Sequence, residues 1–270
     1  MASTKQSSSV IDLTRRWVVD YFNRHDSSVC KEFVTPDYAL SIGEYTFSGR
    51  DEEWLPAVQK QMTLFPGLGM TVHRVLVGID QSAVYFTQHG ASGGAGGPMA
   101  CWSGVALYRS NGTMLSGCVA QEDYMTRQRQ LKSGTADAIA APAAAPWDTS
   151  ALPGNPQAEA VVRAWLTQSW PARAPSVLCD DEHITGATPL SFEVTTSEVT
   201  TLFSSGAEVA FHVRQTGSYL GGLPGLDGLA VGSREAVLHC NGIAKVEGDA
   251  VVSGRVIRDR AGLRGSLLKS

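Results

Sequence analysis

The feature that most constrains the fold is an order of elements that occurs twice along the 270 residues. In each half an amphipathic helix comes first, because apolar side chains recur at three- and four-residue steps over 10–22 and again over 158–170. Strand-like runs follow near 70–77, 83–88, 101–109 and 114–121, and then near 194–203, 208–215, 234–244 and 250–258. Only the first half has a second, short helix, near 52–62. Self-similarity of this kind predicts tandem copies of one fold.

The two copies differ in length at places that the alignment identifies. Their last two strands align without a gap, at a shift of 136 residues that places Asp123 on Asp259. Earlier segments of the two copies align at different shifts, and one of these shifts places Gln88 on Gln215. These changes predict that the second copy lacks the short helix of the first and has a longer glycine-rich loop over 221–230. The second copy is therefore expected to be a trimmed relative of the first.

Between the copies, residues 132–156 are rich in Ala, Pro, Ser and Gly and carry no sustained apolar period. This composition is typical of a linker. The sequence thus predicts a first domain over 8–131, a linker over 132–156 and a second domain over 157–270. Both domains have an ordinary size for a folded unit.

Composition narrows the classes of partner. The net charge is −4 and no block of Lys and Arg stands out, so neither nucleic acid nor an anionic membrane surface is expected as a partner. The start is polar, and no run of about 18 apolar residues occurs, so a cytoplasmic protein is expected. Five cysteines without a CxxC pair predict reduced, buried thiols and no metal site.

Several short motifs carry a resemblance to a known family. In order they are "FVTPDY", "SGRDEEW", "LFPGLGMTVHRV", the strand ending in "GASGG", and the closing "DYMTRQRQL". Together with the helix-then-strand order, they resemble the SnoaL-like polyketide cyclase group of the nuclear-transport-factor-2-like (NTF2-like) superfamily, tandem duplicated. Three positions depart from the family pattern: Gly67 replaces an aspartate, and Ser92 and Tyr219 replace a histidine in the two copies.

The resemblance implies an α+β fold of two tandem cone-shaped domains. Each would consist of a long N-terminal helix and short helices on a strongly curved antiparallel sheet. Members of this superfamily commonly pair through their sheets, so the two domains are expected to pack as an intramolecular pseudo-dimer. The protein would then be a monomeric pseudo-dimer or a higher homo-oligomer.

The resemblance also places the chemistry at the end of the last strand. Asp123 would be the acid/base residue, projecting into an apolar cavity whose low polarity raises the pKa of a carboxyl group. Asp259 would be its counterpart in the second copy. The alternative is that Asp123 ends a strand facing water, or pairs with Arg127 or Arg129.

Histidines and aromatic residues supply further candidates. His73 and His89 lie in strand-like runs where an imidazole could exchange protons or polarise a carbonyl, although a structural role is the alternative for both. Tyr45 could donate a hydrogen bond to a developing oxyanion. A substrate-binding wall would be formed by the aromatic side chains Trp54, Phe65, Tyr85, Trp102 and Tyr108.

These expectations define a function and its alternatives. The leading hypothesis is a cofactor-free acid/base enzyme of the cyclase, isomerase or dehydratase type. Its ligand would be a small apolar carbonyl-bearing metabolite such as a polyketide, terpenoid or steroid-like compound. The alternatives are a non-catalytic protein that binds a ligand or partner in the same cavity, and a purely structural pseudo-dimer.

Overall fold

The computed structural model describes residues 9–170, 176–181, 188–226, 232 and 235–269. Helical segments of the first half are α1 (Val10–Arg15), continued by a π-helical segment (Arg16–Phe22), a 3-10 turn (Ser27–Val29), α2 (Cys30–Phe33), a π-helical turn (Arg50–Trp54), α3 (Leu55–Leu64) and α4 (Tyr124–Ser133). Its strands are β1 (Val34–Ile42), β2 (Tyr45–Ser48), β3 (Gly69–Val77), β4 (Gln81–Ala91), β5 (Met99–Ser110) and β6 (Leu115–Glu122).

The second half repeats the order with fewer elements. Its helices are α5 (Pro156–Ala164), continued by a π-helical turn (Trp165–Ser169), and α6 (Arg260–Lys269). Its strands are β7 (Val177–Cys179), β8 (Ser191–Ser205), β9 (Glu208–Gly221), β10 (Glu235–Glu247) and β11 (Ala250–Arg258). Residues 180–190 connect β7 to β8, of which 182–187 lie outside the described residues. The predicted longer loop over 221–230 lies partly outside them as well.

The strands form one sheet in each half. The first sheet has the order β2-β1-β6-β5-β4-β3 and the second β7-β11-β10-β9-β8. Most neighbours are antiparallel, but β1 is parallel to β6, and β7 is parallel to β11. The expected antiparallel sheets are therefore confirmed, with this one parallel pairing as the exception in each half. A parallel pair needs a long crossover, and the intervening helices and strands supply it.

Strand pairing confirms the duplication. In the first sheet Glu122 lies opposite Gly104, and in the second Arg258 lies opposite Cys240, so both members of the pair are shifted by the same 136 residues. Gln88 lies opposite Trp102, while its counterpart Gln215 lies opposite Leu238. The sequence alignment of the copies is thus reproduced residue by residue in the pairing of their strands.

Each half has its own apolar core. In the first, Val10, Leu13 and Trp17 of the N-terminal helix pack with residues of α3 and of the sheet, and in the second Val162 and Leu166 take the corresponding place. A third apolar cluster joins the two sheets: Leu76, Ala83, Val105 and Leu107 from the first meet Phe203, Ala210, Ile243 and Ile257 from the second. The two sheets therefore pack face to face, as a pseudo-dimer within one chain.

A turn after the first strand of each sheet reaches into this interface. Gly43 has φ +56°, and the corresponding residue of the second half is Asp180, with φ +49°. A Cβ at Gly43 would collide with the carboxyl of Asp259, so glycine suits both the backbone and the close approach. The next residues, Glu44 and Asp181, carry carboxylates that bond across the interface.

Candidate functional site

The first half encloses a cavity of about 210 Å³. Apolar and aromatic side chains form most of its wall, including Trp17, Phe22, Phe47, Phe86 and Tyr108. Helix α3 and strands β1 to β6 all contribute, so the cavity lies between the helices and one face of the sheet. Such a mainly apolar hollow with few polar groups is the usual setting for a small-molecule site.

One carboxyl group reaches this cavity, and it belongs to Glu122, near the end of β6. Side chains alternate along a strand, so Cys118, Ala120 and Glu122 all face the cavity. The Glu122 side chain is buried, and its Oε2 accepts a hydrogen bond from the Trp102 indole nitrogen at 2.7 Å. Its Oε1 accepts one from the Gln88 amide at 3.1 Å.

The polar groups around Glu122 form a short chain. Gln61 donates from its amide to Gln88 Oε1 at 2.9 Å, which orients the Gln88 amide toward the carboxyl. The Tyr124 side chain lines the same cavity. Burial raises the pKa of Glu122, although the Trp102 hydrogen bond and the Arg127 charge oppose the change. A carboxyl of raised pKa in an apolar wall can both accept and return a proton near neutral pH.

Asp123, the acid/base residue predicted from the sequence, faces away from this cavity. It caps the N-terminus of α4: its carboxylate accepts from the Thr126 backbone nitrogen at 3.1 Å and hydroxyl at 2.9 Å. Arg260 Nη2, from the second half, lies 2.6 Å from both carboxylate oxygens. Burial alone would raise the pKa of Asp123, but Arg260 and the hydrogen bonds bring it below its usual value. The expectation that Asp123 projects into the apolar cavity is wrong.

The reason lies in strand geometry. Glu122 and Asp123 are neighbours, so alternation sends their side chains to opposite faces of the sheet. The cavity is on one face and the second half of the chain is on the other. The alternative partners Arg127 and Arg129 do not hold Asp123 either, because Arg129 pairs with Asp137 and the Arg127 guanidinium lies over the Tyr124 ring.

The two predicted histidines also lie outside the cavity wall. His73 Nε2 is 2.8 Å from the Thr87 hydroxyl, and its Nδ1 is 2.9 Å from the carbonyl of Ala141. His89 lies 3.1 Å from the Thr71 hydroxyl, in an open groove beside His25, and burial lowers its pKa. The expectation that His73 lines the cavity is wrong; a catalytic part for either histidine stays a prediction.

The predicted binding-wall residues have divided placements. Tyr108 lines the cavity, and Trp102 reaches its carboxyl through the indole nitrogen. Trp54 and Phe65 are buried in the core behind the wall, and Tyr85 lies between the two sheets. Tyr45 is 64% exposed, with its ring 5.0 Å from that of Phe47, a wall residue. No contact of Tyr45 supports its part as an oxyanion donor.

The second half differs from the first at the position that corresponds to Glu122. Arg258 stands where Glu122 stands in the first half, and it donates from Nε to Asp180 Oδ2 at 2.8 Å. The predicted second-copy acid, Asp259, accepts from the Gly262 backbone nitrogen at 2.8 Å at the start of α6. Burial raises its pKa. The corresponding site of the second half thus holds a paired arginine in place of a carboxyl.

Buried ion pairs join the halves beside Asp123. Arg260 Nε is 3.2 Å from Asp180 Oδ2, so this arginine bridges Asp123 and Asp180. Asp181 accepts from the Ser103 backbone nitrogen at 3.0 Å and from Arg255 at 2.5 Å. The Arg260–Asp123 and Ser103–Asp181 contacts cross between the halves, whereas Arg260–Asp180 and Arg255–Asp181 lie within the second half.

Within the described ranges, no three His, Cys, Asp or Glu side chains are placed to hold a metal ion. None of the helices in those ranges has the length and apolar character needed to cross a bilayer.

The chain consists of two halves in tandem, each with helices and one sheet, and solved structures similar to about half of it include proteins assigned as polyketide cyclases, some of them SnoaL-like. One from Jannaschia sp. CCS1 matches 46% of this chain and 91% of its own, at 18% identity and a TM-score of 0.40. IdmH from Streptomyces antibioticus, assigned as a polyketide cyclase, matches 45% and 96%, at 21% identity and a TM-score of 0.40. One from Acidithiobacillus ferrooxidans matches 46% and 94%, at 13% identity and a TM-score of 0.41.

These identities describe a likeness of fold alone. The family resemblance that the sequence motifs suggested recurs among these structures. No protein-family model matches the chain, and no curated protein matches it.

Proposed function

We propose that the chain is a cofactor-free acid/base enzyme of the SnoaL-like kind, a cyclase, isomerase or dehydratase, with Glu122 as its proton carrier. Its substrate would be a small apolar metabolite that bears a carbonyl group. The observation that supports this proposal is a buried carboxyl, oriented by Trp102 and Gln88, in the wall of an apolar cavity.

The chemistry needs a base and a hydrogen-bond donor. As a carboxylate, Glu122 takes a proton from the carbon next to the carbonyl, and the electron pair moves onto the carbonyl oxygen. The Trp17 indole N–H lies in the cavity-lining set, is buried, and has no hydrogen-bond partner among the described residues. It is the donor we assign to the developing oxyanion. Protonated Glu122 then returns the proton to another carbon or to a departing hydroxyl group.

Cavity size narrows the class of substrate. Sites for drug-sized ligands usually measure about 300–1,000 Å³. A cavity of about 210 Å³ favours compact molecules of one or two rings over a steroid-sized compound. Its aromatic walls favour a flat ligand.

A proton-exchange assay tests the proposal without knowledge of the natural substrate. 1-Indanone, a flat bicyclic ketone, is incubated with the protein in D₂O, and loss of the proton signal next to the carbonyl is followed by NMR. Wild-type protein should accelerate exchange, and Glu122→Gln should reduce the acceleration by about 100-fold or more, the usual contribution of general acid–base catalysis. Glu247→Gln, which removes an exposed carboxylate, is the matched control. Equal exchange in wild type and Glu122→Gln would contradict the proposal.

A second candidate is a non-catalytic ligand-binding protein. It is favoured by Asp123, the residue at the family position, which is held in an ion pair with Arg260. Saturation-transfer NMR that detects binding of 1-indanone to wild type and Glu122→Gln alike, with exchange at the buffer rate in both, would support this candidate instead.

A further inference from the structure

Arg127 lies one turn into α4, next to the residues that bond Glu122. Its guanidinium carbon is 4.2 Å from the centre of the Tyr124 ring and 5.0 Å from that of Trp102. The same guanidinium carbon is 5.8 Å from the centre of the Phe65 ring. Stacking of a planar guanidinium on aromatic rings restrains both partners. Of the rings held in this way, Trp102 donates a hydrogen bond to Glu122 and Tyr124 lines the cavity into which Glu122 reaches.

Arg127 differs from the other arginines around it in having no carboxylate partner within the described part of the chain. Arg129, two residues along the same helix, is paired with Asp137. Arg260, which meets α4 from the second half, is paired with Asp123. The charge of Arg127 is therefore not neutralised by a pair of its own among the described residues, and it acts on the buried carboxyl of Glu122.

The other titratable groups facing Glu122 are neutral at physiological pH. Burial raises the pKa of Tyr108 on β5, Cys118 on β6 and Tyr124 on α4. The remaining polar neighbours, Gln61 and Gln88, do not titrate. Asp123 and its partner Arg260 balance each other on the opposite face of the sheet. Arg127 is thus the charged group that acts on this carboxyl from the surrounding elements.

We propose that Arg127 is a positioning residue for Glu122: it clamps the Trp102 and Tyr124 rings against the carboxyl and supplies the positive charge that favours its ionised form. This inference deepens the proposed function and rests on Glu122 being its proton carrier. Arg127 would set the pH range over which the carboxyl can act as a base. It would touch neither the substrate nor the reacting atoms.

The test is a titration of Glu122 that needs no turnover. Protein labelled with ¹³C at the glutamate side-chain carboxyls is titrated by NMR, with Glu122→Gln identifying the signal. Arg127→Met, which keeps the apolar stem, should move the midpoint of Glu122 upward by about one pH unit. Arg127→Lys keeps the charge and should move it less. Arg129→Met removes a charge from the same helix and should leave it unchanged.

A second readout reports on the clamp itself. Hydrogen exchange of the Trp102 indole N–H should become faster in both Arg127→Met and Arg127→Lys, because neither side chain stacks as a planar guanidinium does. An unchanged Glu122 midpoint in folded Arg127→Met would overturn the proposal. Should that variant fail to fold, unchanged indole exchange in Arg127→Lys would overturn it. Absence of ketone exchange together with these changes would remove the proposed enzyme while leaving Arg127 as a positioning residue.

Discussion

Two adjacent acids experience opposite surroundings in this protein. Glu122 faces the apolar cavity, where burial raises its pKa, while Asp123 faces the second half, where Arg260 and three further hydrogen bonds outweigh burial and lower its pKa. Paired carboxyls whose pKa values are moved apart by their environments commonly divide into a proton carrier and a charged structural group. The chemistry at the end of β6 is therefore decided by which face each side chain occupies.

Replacement of Glu122 by glutamine should change how stability depends on pH. The folded-state pKa of Glu122 is above its unfolded value, so wild-type protein loses stability as pH rises from about 4.5 through the folded pKa. Glu122→Gln removes that loss, because the amide does not titrate. Urea unfolding at pH 5 and pH 8 should show that the free energy of unfolding of the variant rises relative to that of wild type at the higher pH. The expected rise is about 1.4 kcal/mol for each pH unit by which folding raises the pKa of Glu122. A difference that stays constant with pH would contradict the raised pKa.

At the scale of elements, the long helices and strands follow from periodicity, whereas α4 and α6 do not. The sequence 124–133 has few apolar residues, so no stripe marks it as a helix, and the closing motif instead suggests the end of a strand. Only the two ends of α4 carry sequence signals for a helix. Asp123 caps the first turn, and Gly134, at φ +71°, follows the last turn. A helix whose ends are marked but whose stripe is weak is easily missed.

The candidate site was predictable only in part for a related reason. The approximate place, the end of β6, follows from the family spacing. The face does not, because a one-residue error in register exchanges the two sides of a strand. Alternation back from Glu122 through Ala120 and Cys118 would have pointed to the acid that faces the cavity. Arg260 could not have been found, since it meets Asp123 only through packing of two domains.

The strands of the second half carry a hydrogen-bonded chain that ends on the first half. The Thr200 hydroxyl bonds His212 Nδ1, His212 Nε2 lies 3.0 Å from His239 Nδ1, and His239 Nε2 lies 2.5 Å from Glu44 Oε1. The Glu44 carboxylate fixes the direction of donation: His239 donates to Glu44, His212 to His239 and Thr200 to His212. Two charged imidazoles would place N–H against N–H at the central contact.

Acid should therefore weaken the fold through His212. The pKa of His212 is lowered to about 4, against about 6.5 in the unfolded chain. Burial is the larger cause, and the nearby His239 is the smaller one. The contribution of neutral His212 to the free energy of unfolding is fully present above pH 6.5. It is lost as pH falls toward 4, because the unfolded chain binds the proton more readily. Between pH 7.5 and pH 5 this group should remove roughly 2 kcal/mol of stability. In urea unfolding over the same pH interval, the free energy of unfolding of His212→Gln should fall by roughly 2 kcal/mol less than that of wild type. An equal fall in both proteins would contradict a lowered pKa of His212.

The whole molecule combines a first half whose last strand presents a carboxyl to a cavity with a second half that has an arginine at the corresponding position. Arg258 replaces Glu122 there, and Asp180 neutralises it. Across the interface Arg260 joins Asp123 to the same Asp180. The first half thus supplies a carboxylate, and the second half supplies carboxylates and arginines, to one buried network. The second half packs against the face of the first sheet that lies opposite the cavity.

Separate mutations of Asp123 and Arg260 should show that this pair stabilises the fold and leaves the cavity chemistry intact. Asp123→Asn or Arg260→Met leaves a buried charge without its main partner, and each should lower the free energy of unfolding by about 3–5 kcal/mol. The double variant should lose less than the sum, with a coupling above about 1 kcal/mol in urea unfolding. Additive losses would mean that the two residues act independently. Since Asp123 lies outside the cavity, folded Asp123→Asn should exchange the ketone proton at the wild-type rate. Loss of that exchange in fully folded protein would restore Asp123 as the catalytic acid that the sequence alone suggests.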